Sequence, residues 1–98
     1  MILLGDFNSP PGSPPIQALG PLFIDSLALL PLPPRGQARK GKGFYPLDPR
    51  DKHRIDYIFL NGAFTRDRIL SSELFAERPL SGGLFCSDHF GVLTTLRQ

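Results

Sequence analysis

One segment constrains the fold of this chain more than any other, because HRIDYIFL, residues 53–60, is apolar on both sides of an extended strand. Its apolar side chains alternate between the two faces, with Ile55, Tyr57 and Phe59 on one and Ile58 and Leu60 on the other. Strands of this kind are buried on both faces. The segment also contains Asp56, and a carboxylate is costly to bury unless another group satisfies it. The sequence therefore predicts a buried strand that carries a partnered carboxylate.

Asp56 has two kinds of candidate partner. The first is Arg54, which lies two residues away and projects to the same face of the strand. The second is a histidine elsewhere in the chain, because a carboxylate can hold an imidazole in one tautomer and stabilise its protonated form. The residues around Asp56 leave both interpretations open.

Short apolar segments alternate with turn-forming residues along the rest of the chain. Its 98 residues include 10 glycines and 11 prolines, so much of it must be loop. Further strands are predicted at residues 2–7, 68–76 and 90–96, a helical turn at 15–19 with Ser13 as its N-cap, and a strand or short helix at 22–27. Strands with little helix between them favour a mixed sheet in one small α/β or α+β domain.

The positive charge of the chain is concentrated in one region. Net charge is only +2, yet seven of the eleven lysines and arginines lie within residues 35–54. Such a basic loop suits a phosphate-bearing partner, although a solvated surface loop is an equally good interpretation. We interpret His53, inside this charged run, as a solvated loop histidine.

Cysteine content and hydropathy narrow the class of protein further. Cys86 is the single cysteine, so no disulfide can form within the chain, and its flanking residues supply no base that would make it a nucleophile. We expect it to be a small packed side chain. No apolar run has the length of a membrane span, and the first residues lack the features of a signal peptide. These features predict a soluble, intracellular protein.

A polar pair follows the first predicted strand, in the sequence GDFN. Asp6 and Asn8 are two residues apart, so on an extended segment both project to the same side. A carboxylate can bind a metal or position a water, and an amide can donate to a developing oxyanion. The alternative is an Asx turn that begins the proline-rich loop. On local evidence both interpretations stand.

A third polar cluster, Ser87-Asp88-His89, precedes the last predicted strand. Neighbouring residues on a strand face opposite ways, so joint use of Asp88 and His89 requires a turn before Phe90. Gly82 and Gly83 make such a loop reasonable. A carboxylate is a hard oxygen ligand suited to Mg²⁺, and an imidazole can act on a phosphate as donor or acid.

With these three clusters in order, GDFN, RIDYIF and SDHFGV, the chain resembles the endonuclease/exonuclease/phosphatase superfamily, the deoxyribonuclease-I-like phosphoesterases. The resemblance implies hydrolysis of a phosphoester by in-line attack of water, with Mg²⁺, or Mn²⁺ in its place, stabilising charge on the phosphate. It implies a phosphoester substrate, either nucleic acid or a phospholipid head group.

The resemblance also implies a role for each matching residue. Asp6 corresponds to the aspartate that orients or activates the attacking water, and Asn8 to the amide that stabilises the transition state. Asp56 corresponds to the carboxylate that pairs with the motif histidine. Asp88 corresponds to a metal-binding aspartate, and His89 to the histidine that contacts the scissile phosphate.

The family's domain is a two-sheet, four-layer α/β sandwich longer than this chain. We therefore expect residues 1–98 to form only the C-terminal part of it, with residues 2–4 a central strand lacking neighbours on one side and Met1 an internal start. The absent part would supply further metal ligands, which predicts weak Mg²⁺ binding and little or no activity. It would also leave Ile, Leu and Phe exposed on one sheet face, to be covered by that part or by a partner chain.

Two other functions are compatible with the residues. One is a non-catalytic, truncated isoform that binds partners through its exposed sheet face. The other is a small nucleic-acid-binding module that uses residues 35–54, although no aromatic side chains for base stacking are interleaved with those charges. The motifs do not specify the substrate class, because family members act on DNA, RNA, sphingolipids and inositol phosphates with the same phosphate-recognising site.

Overall fold

The computed structural model describes residues 1–29, 54–76, 78–87 and 89–98. Most of the predicted basic loop, together with His53 and Asp88, lies outside these described residues. The elements in chain order are β1 (Ile2–Asp6), α1 (Pro14–Leu19), β2 (Ile24–Asp25), a 3₁₀ turn (Leu27–Leu29), β3 (Asp56–Leu60), a second 3₁₀ turn (Arg66–Arg68), β4 (Ile69–Phe75) and β5 (Gly91–Leu96).

The described strands form two antiparallel sheets with a few short helical segments, which confirms the α+β class. One sheet has the order β1-β3-β2 and the other pairs β4 with β5. The expectation of a single mixed sheet is wrong for these strands. Hydrophobic alternation shows which faces of a strand are buried but does not by itself determine the direction of its neighbours.

The positions of the predicted strands and of the helical turn are confirmed to within a few residues. Residues 22–27, which fitted either a strand or a helix, contain β2 and, after Ser26, the first residue of a 3₁₀ turn. Ser13 is at the N-cap position of α1 but makes no capping bond with its side chain. Its hydroxyl instead donates to the carbonyl of Pro10 at 2.6 Å, which tightens the preceding proline turn.

An aromatic cluster forms the core between β3 and α1. Tyr57 and Phe59 stack with ring centroids 5.0 Å apart, and Phe7 packs edge-on against both at 5.6 and 5.4 Å. Ile16 of α1 completes the buried cluster. Edge-to-face and offset contacts of this kind stabilise a core beyond the area that they bury.

The opposite face of β3 is covered by the second sheet. β5 lies against β3, and Leu60 and Phe90 are both buried there. A cluster of three hydroxyls, two of them on buried serines and the third on a partly buried threonine, joins the two sheets and is called the hydroxyl cluster. Its members are Ser26, Ser72 and Thr94, with Thr94 Oγ1 2.8 Å from each serine Oγ. β3 is therefore covered on both faces, as its sequence predicts.

Arg54 is buried immediately before β3, with only 2% of its surface exposed. Its guanidinium forms a two-pronged ion pair with Asp25 of β2, at 3.0 and 2.5 Å, and lies 4.4 Å from the centroid of the Tyr57 ring. The interpretation of Arg54 as the partner of Asp56 is therefore replaced by a pairing with Asp25. Spacing along one strand suggested the first partner, whereas pairing between strands supplies the second.

Several large apolar side chains are exposed at the sheet surfaces. β1 exposes Leu4 (67%) and Ile2, and the outer face of the β4–β5 pair exposes Phe75 and Leu93. Ile, Leu and Phe are therefore exposed, but on both sheets, whereas the expectation placed them on one face of a single remaining sheet. A side chain on Gly91 would overlap the ring of Phe75, which explains why glycine begins β5.

We predict that Asp25→Asn lowers the free energy of unfolding by about 3–5 kcal/mol, because it leaves the buried Arg54 guanidinium without its counter-charge. Urea unfolding followed by circular dichroism measures the change. Glu73→Gln, an exposed carboxylate on β4, is the matched control and should change the free energy by less than ~0.5 kcal/mol. A loss for Asp25→Asn no larger than that of the control would contradict the prediction.

Candidate active site

Strand pairing brings two carboxylates together at one end of the first sheet. Asp6 is the last residue of β1 and Asp56 is the first of β3, and the two are directly opposite in the antiparallel register. Residues opposite each other in such a pair project to the same face, with Cβ atoms about 5 Å apart. Like charges at this distance repel, so the site favours a positively charged group between or beside them.

His89 approaches the same end from the turn before β5. Its backbone N–H donates to Oγ of Ser87 at 3.0 Å, and Gly82 and Gly83 have φ of +89° and +80° in the preceding loop. Ser87 and His89 are thus held close together, while Asp88 lies outside the described residues. The imidazole Nδ1 lies 2.6 Å from Oδ2 of Asp56, and both side chains are partly buried.

Asn8 lies in a tight turn that Asp6 itself stabilises. The backbone N–H of Asn8 donates to Oδ1 of Asp6 at 2.8 Å, and Asn8 has a left-handed φ of +49°. The Asx turn, which was the alternative interpretation of this pair, is thus present. It does not exclude a role in chemistry, because both residues are exposed and Asp6 lies opposite Asp56 at the end of the sheet.

One carboxylate oxygen each of Asp6 and Asp56 and one ring nitrogen of His89, all possible metal ligands, lie within 4.8 Å of one another. Three distant parts of the sequence contribute them, so their convergence is a property of the fold. Two carboxylates supply the oxygen ligands that Mg²⁺ and Mn²⁺ prefer. Asp88, the predicted metal ligand, is outside the described residues.

The contact between Asp56 and His89 has the geometry of a hydrogen bond or an ion pair, and not that of two ligands of one metal ion. Two ligands at adjacent positions around one Mg²⁺ are about 3 Å apart, since each lies about 2.1 Å from the ion at a right angle. The observed 2.6 Å separation is shorter than that and fits a charge-assisted hydrogen bond. The residues therefore fit a hard divalent cation bound through carboxylate oxygens, with His89 paired to Asp56.

Tyr57 connects the buried core to this site. Its hydroxyl lies 2.7 Å from the carbonyl oxygen of Ser9 and 3.1 Å from that of Arg54. Burial raises the pKa of Tyr57 to about 12, so its hydroxyl remains a donor at neutral pH.

On the other face of β3, a cleft of about 240 Å³ adjoins Asp56. Its lining residues are Leu4, Gly5, Asp56, Tyr57, Ile58, Phe90, Gly91 and Val92.

The sequence interpretation missed two structural partners and misplaced one side chain. Asp25, a carboxylate inside an apolar segment, carries the same signal that singled out Asp56, and a search for its cation would have found Arg54. Ser9 gave no signal, because it contributes a backbone carbonyl. Cys86 is exposed, so the expectation of a packed cysteine is wrong.

The profile of the Endonuclease/Exonuclease/phosphatase family matches residues 1–89 of the chain. The chain therefore belongs to this family of nuclease- and phosphatase-type hydrolases, which are generally dependent on divalent metals and act on phosphodiester substrates. No curated protein and no solved structure gives a significant match.

Among the described helices, none has the length and apolar character needed to cross a membrane.

We predict that Asp56→Ala shifts the neutral His89 ring from the Nδ1–H tautomer towards the Nε2–H tautomer, because the carboxylate that accepts from Nδ1 is lost. Ring ¹⁵N chemical shifts in a His53→Gln background, which leaves one histidine, measure the two populations. Asp67→Ala, which removes an exposed carboxylate before β4, is the control. Equal tautomer populations with and without Asp56 would refute the pairing.

We also predict that Tyr57 ionises with a midpoint of about 12, against about 10 for an ordinary tyrosine. The folded state holds this proton more tightly than the unfolded state, so the free energy of unfolding should fall as pH rises from about 10 to about 12. Phenolate absorbance of Tyr45→Phe, in which Tyr57 is the one tyrosine, measures the midpoint. A midpoint near 10 in the folded protein would contradict burial of the hydroxyl.

Proposed function

We propose that this chain carries the catalytic residues of a divalent-metal-dependent phosphodiester hydrolase. The observation that supports this most strongly is the 2.6 Å contact between His89 and Asp56 beside Asp6, in a member of the family. An acid–base pair next to a second carboxylate can activate water and manage the proton of a leaving group. Such a site is suited to hydrolysis of a phosphoester.

Each residue has a proposed role in in-line attack by water. Asp6 orients or activates the attacking water, and the Asn8 amide donates to the charged oxygens of the transition state. Asp56 accepts from Nδ1 of His89, which makes Nε2 the ring nitrogen available to exchange a proton or a hydrogen bond with the phosphate. Asp56 then stabilises the imidazolium that results.

Mg²⁺ or Mn²⁺ is the proposed cofactor, with Asp88 as its ligand and Asp6 and Asp56 as further carboxylates of the site. When bound, the cation would stabilise negative charge on the phosphate and the leaving oxygen. Few anionic ligands are brought together by the described residues, so we expect weak binding and slow turnover.

A non-catalytic binding role is the second candidate. The exposed apolar side chains of β1 and of the β4–β5 pair favour it, because exposed patches of this kind often mark interaction surfaces. Under this alternative the site residues would keep their geometry without turnover.

For the proposed hydrolase, the substrate is a nucleic acid or a phospholipid head group, and both present the same phosphodiester to the site.

We expect the purified chain to hydrolyse bis(p-nitrophenyl) phosphate slowly with Mg²⁺ or Mn²⁺, and we expect hydrolysis to stop when EDTA removes the cation. His89→Ala and Asp6→Ala should each reduce the rate by about 100-fold or more, because each removes a group that acts in the transition state. Glu73→Gln is the matched control and should retain the wild-type rate.

Binding of Mn²⁺ is measured in parallel through paramagnetic broadening of backbone amide signals. Broadening centred on Asp6 and Asp56, together with hydrolysis, supports the proposal. Broadening without hydrolysis would favour the binding role, and neither result with either cation would overturn the assignment of a metal-dependent site.

A further inference from the structure

The turn of residues 6–9 carries the exposed side chains of Asp6 and Asn8, and the proposed function requires both in defined positions. Two hydrogen bonds involving backbone N–H groups hold its first half. The N–H of Phe7 donates to the carbonyl of Ile55 at 2.8 Å, and that of Asn8 donates to Asp6 at 2.8 Å. Asn8 adopts a left-handed conformation, which asparagine tolerates better than most residues other than glycine. Such a conformation persists where its surroundings hold it.

The second half of this turn is held by a side chain of the core. Ser9 precedes Pro10, so its peptide unit has a carbonyl acceptor and no N–H donor. The Tyr57 hydroxyl is 2.7 Å from this carbonyl and 3.1 Å from that of Arg54. A phenol carries one proton, so the shorter contact, to Ser9, takes the larger share of the hydrogen bond.

The Tyr57 ring can serve as a fixed support because packing and charge restrain it from several sides. It is 1% exposed and stacks on Phe59, with an interplanar angle of 7°. Phe7 meets its edge at 88°, and the Arg54 guanidinium over its face is itself held by Asp25. The hydroxyl therefore has little freedom to follow a displaced turn.

We propose that Tyr57 is a positioning residue for Asn8: its hydroxyl holds the Ser9 carbonyl and thereby keeps the Asn8 amide in place beside Asp6. This inference rests on the proposed function for the role of Asn8, whereas the mechanical link between Tyr57 and the turn can be tested without it. Because Asn8 is assigned to the transition state, loosening the turn should lower kcat more than it changes KM.

The experiment compares Tyr57→Phe with Thr94→Val in the full chain. Tyr57→Phe removes one hydroxyl and retains the ring that packs against Phe59 and Arg54. Thr94→Val also removes one hydroxyl, from a partly buried side chain of the hydroxyl cluster, so it controls for a general loss of stability. Hydrogen exchange of the backbone N–H of Asn8 and the kinetics of bis(p-nitrophenyl) phosphate hydrolysis are measured for both variants.

We expect Tyr57→Phe to accelerate exchange of the backbone N–H of Asn8 by about five- to tenfold relative to Thr94→Val. This factor corresponds to the net free energy of one hydrogen bond. A fall in kcat of about the same factor should accompany it, with KM changed less than about twofold. The tautomer of His89 should be unchanged, because its partner Asp56 is on the other face of β3.

Unchanged Asn8 exchange in Tyr57→Phe would overturn the proposal, as would faster exchange with wild-type kcat. If the wild-type chain shows no hydrolysis, the proposed function fails and the kinetic part falls with it. The exchange of Asn8 then still decides whether Tyr57 holds the turn.

Discussion

The buried guanidinium of Arg54 is the constraint on which the rest of the described structure depends. A cation with 2% of its surface exposed is tolerated only where hydrogen bonds and an opposite charge compensate for lost hydration. Asp25 supplies both, so β2 is tied to the segment that enters β3. The same guanidinium covers the ring of Tyr57, whose hydroxyl reaches the turn after β1. One ion pair thus connects all three strands of the first sheet to the site.

Antiparallel pairing then creates an electrostatic problem at the end of that sheet. Asp6 and Asp56 are direct cross-strand neighbours, and two carboxylates in that relation repel each other. The imidazole of His89 contacts Asp56, and a divalent cation would oppose the remaining negative charge. Two carboxylates in this arrangement cost stability unless a positive charge compensates them, a situation that is common at functional sites.

Asp56 could be singled out from sequence because a carboxylate inside an apolar strand violates a local rule. Asp6, Asn8 and His89 were identified through the order of three motifs, because local evidence left an Asx turn as an equal interpretation of the first pair. The partner of Arg54 could not be predicted in the same way, because spacing along a strand identifies neighbours on one face only. Exposure of Cys86 was equally inaccessible, since an apolar flank predicts burial only if another element covers it.

The sequence by itself determined the strands, the proline-rich turn and the identities of the polar residues, because alternation and turn chemistry are local properties of the chain. It also carried the order of three motifs that identifies the family. Only the tertiary structure decided which strands pair, that both sheets are antiparallel, and that Asp56 contacts His89 while Arg54 contacts Asp25. These outcomes depend on contacts between residues distant in sequence, which burial and charge compensation select only once the strands have been brought together.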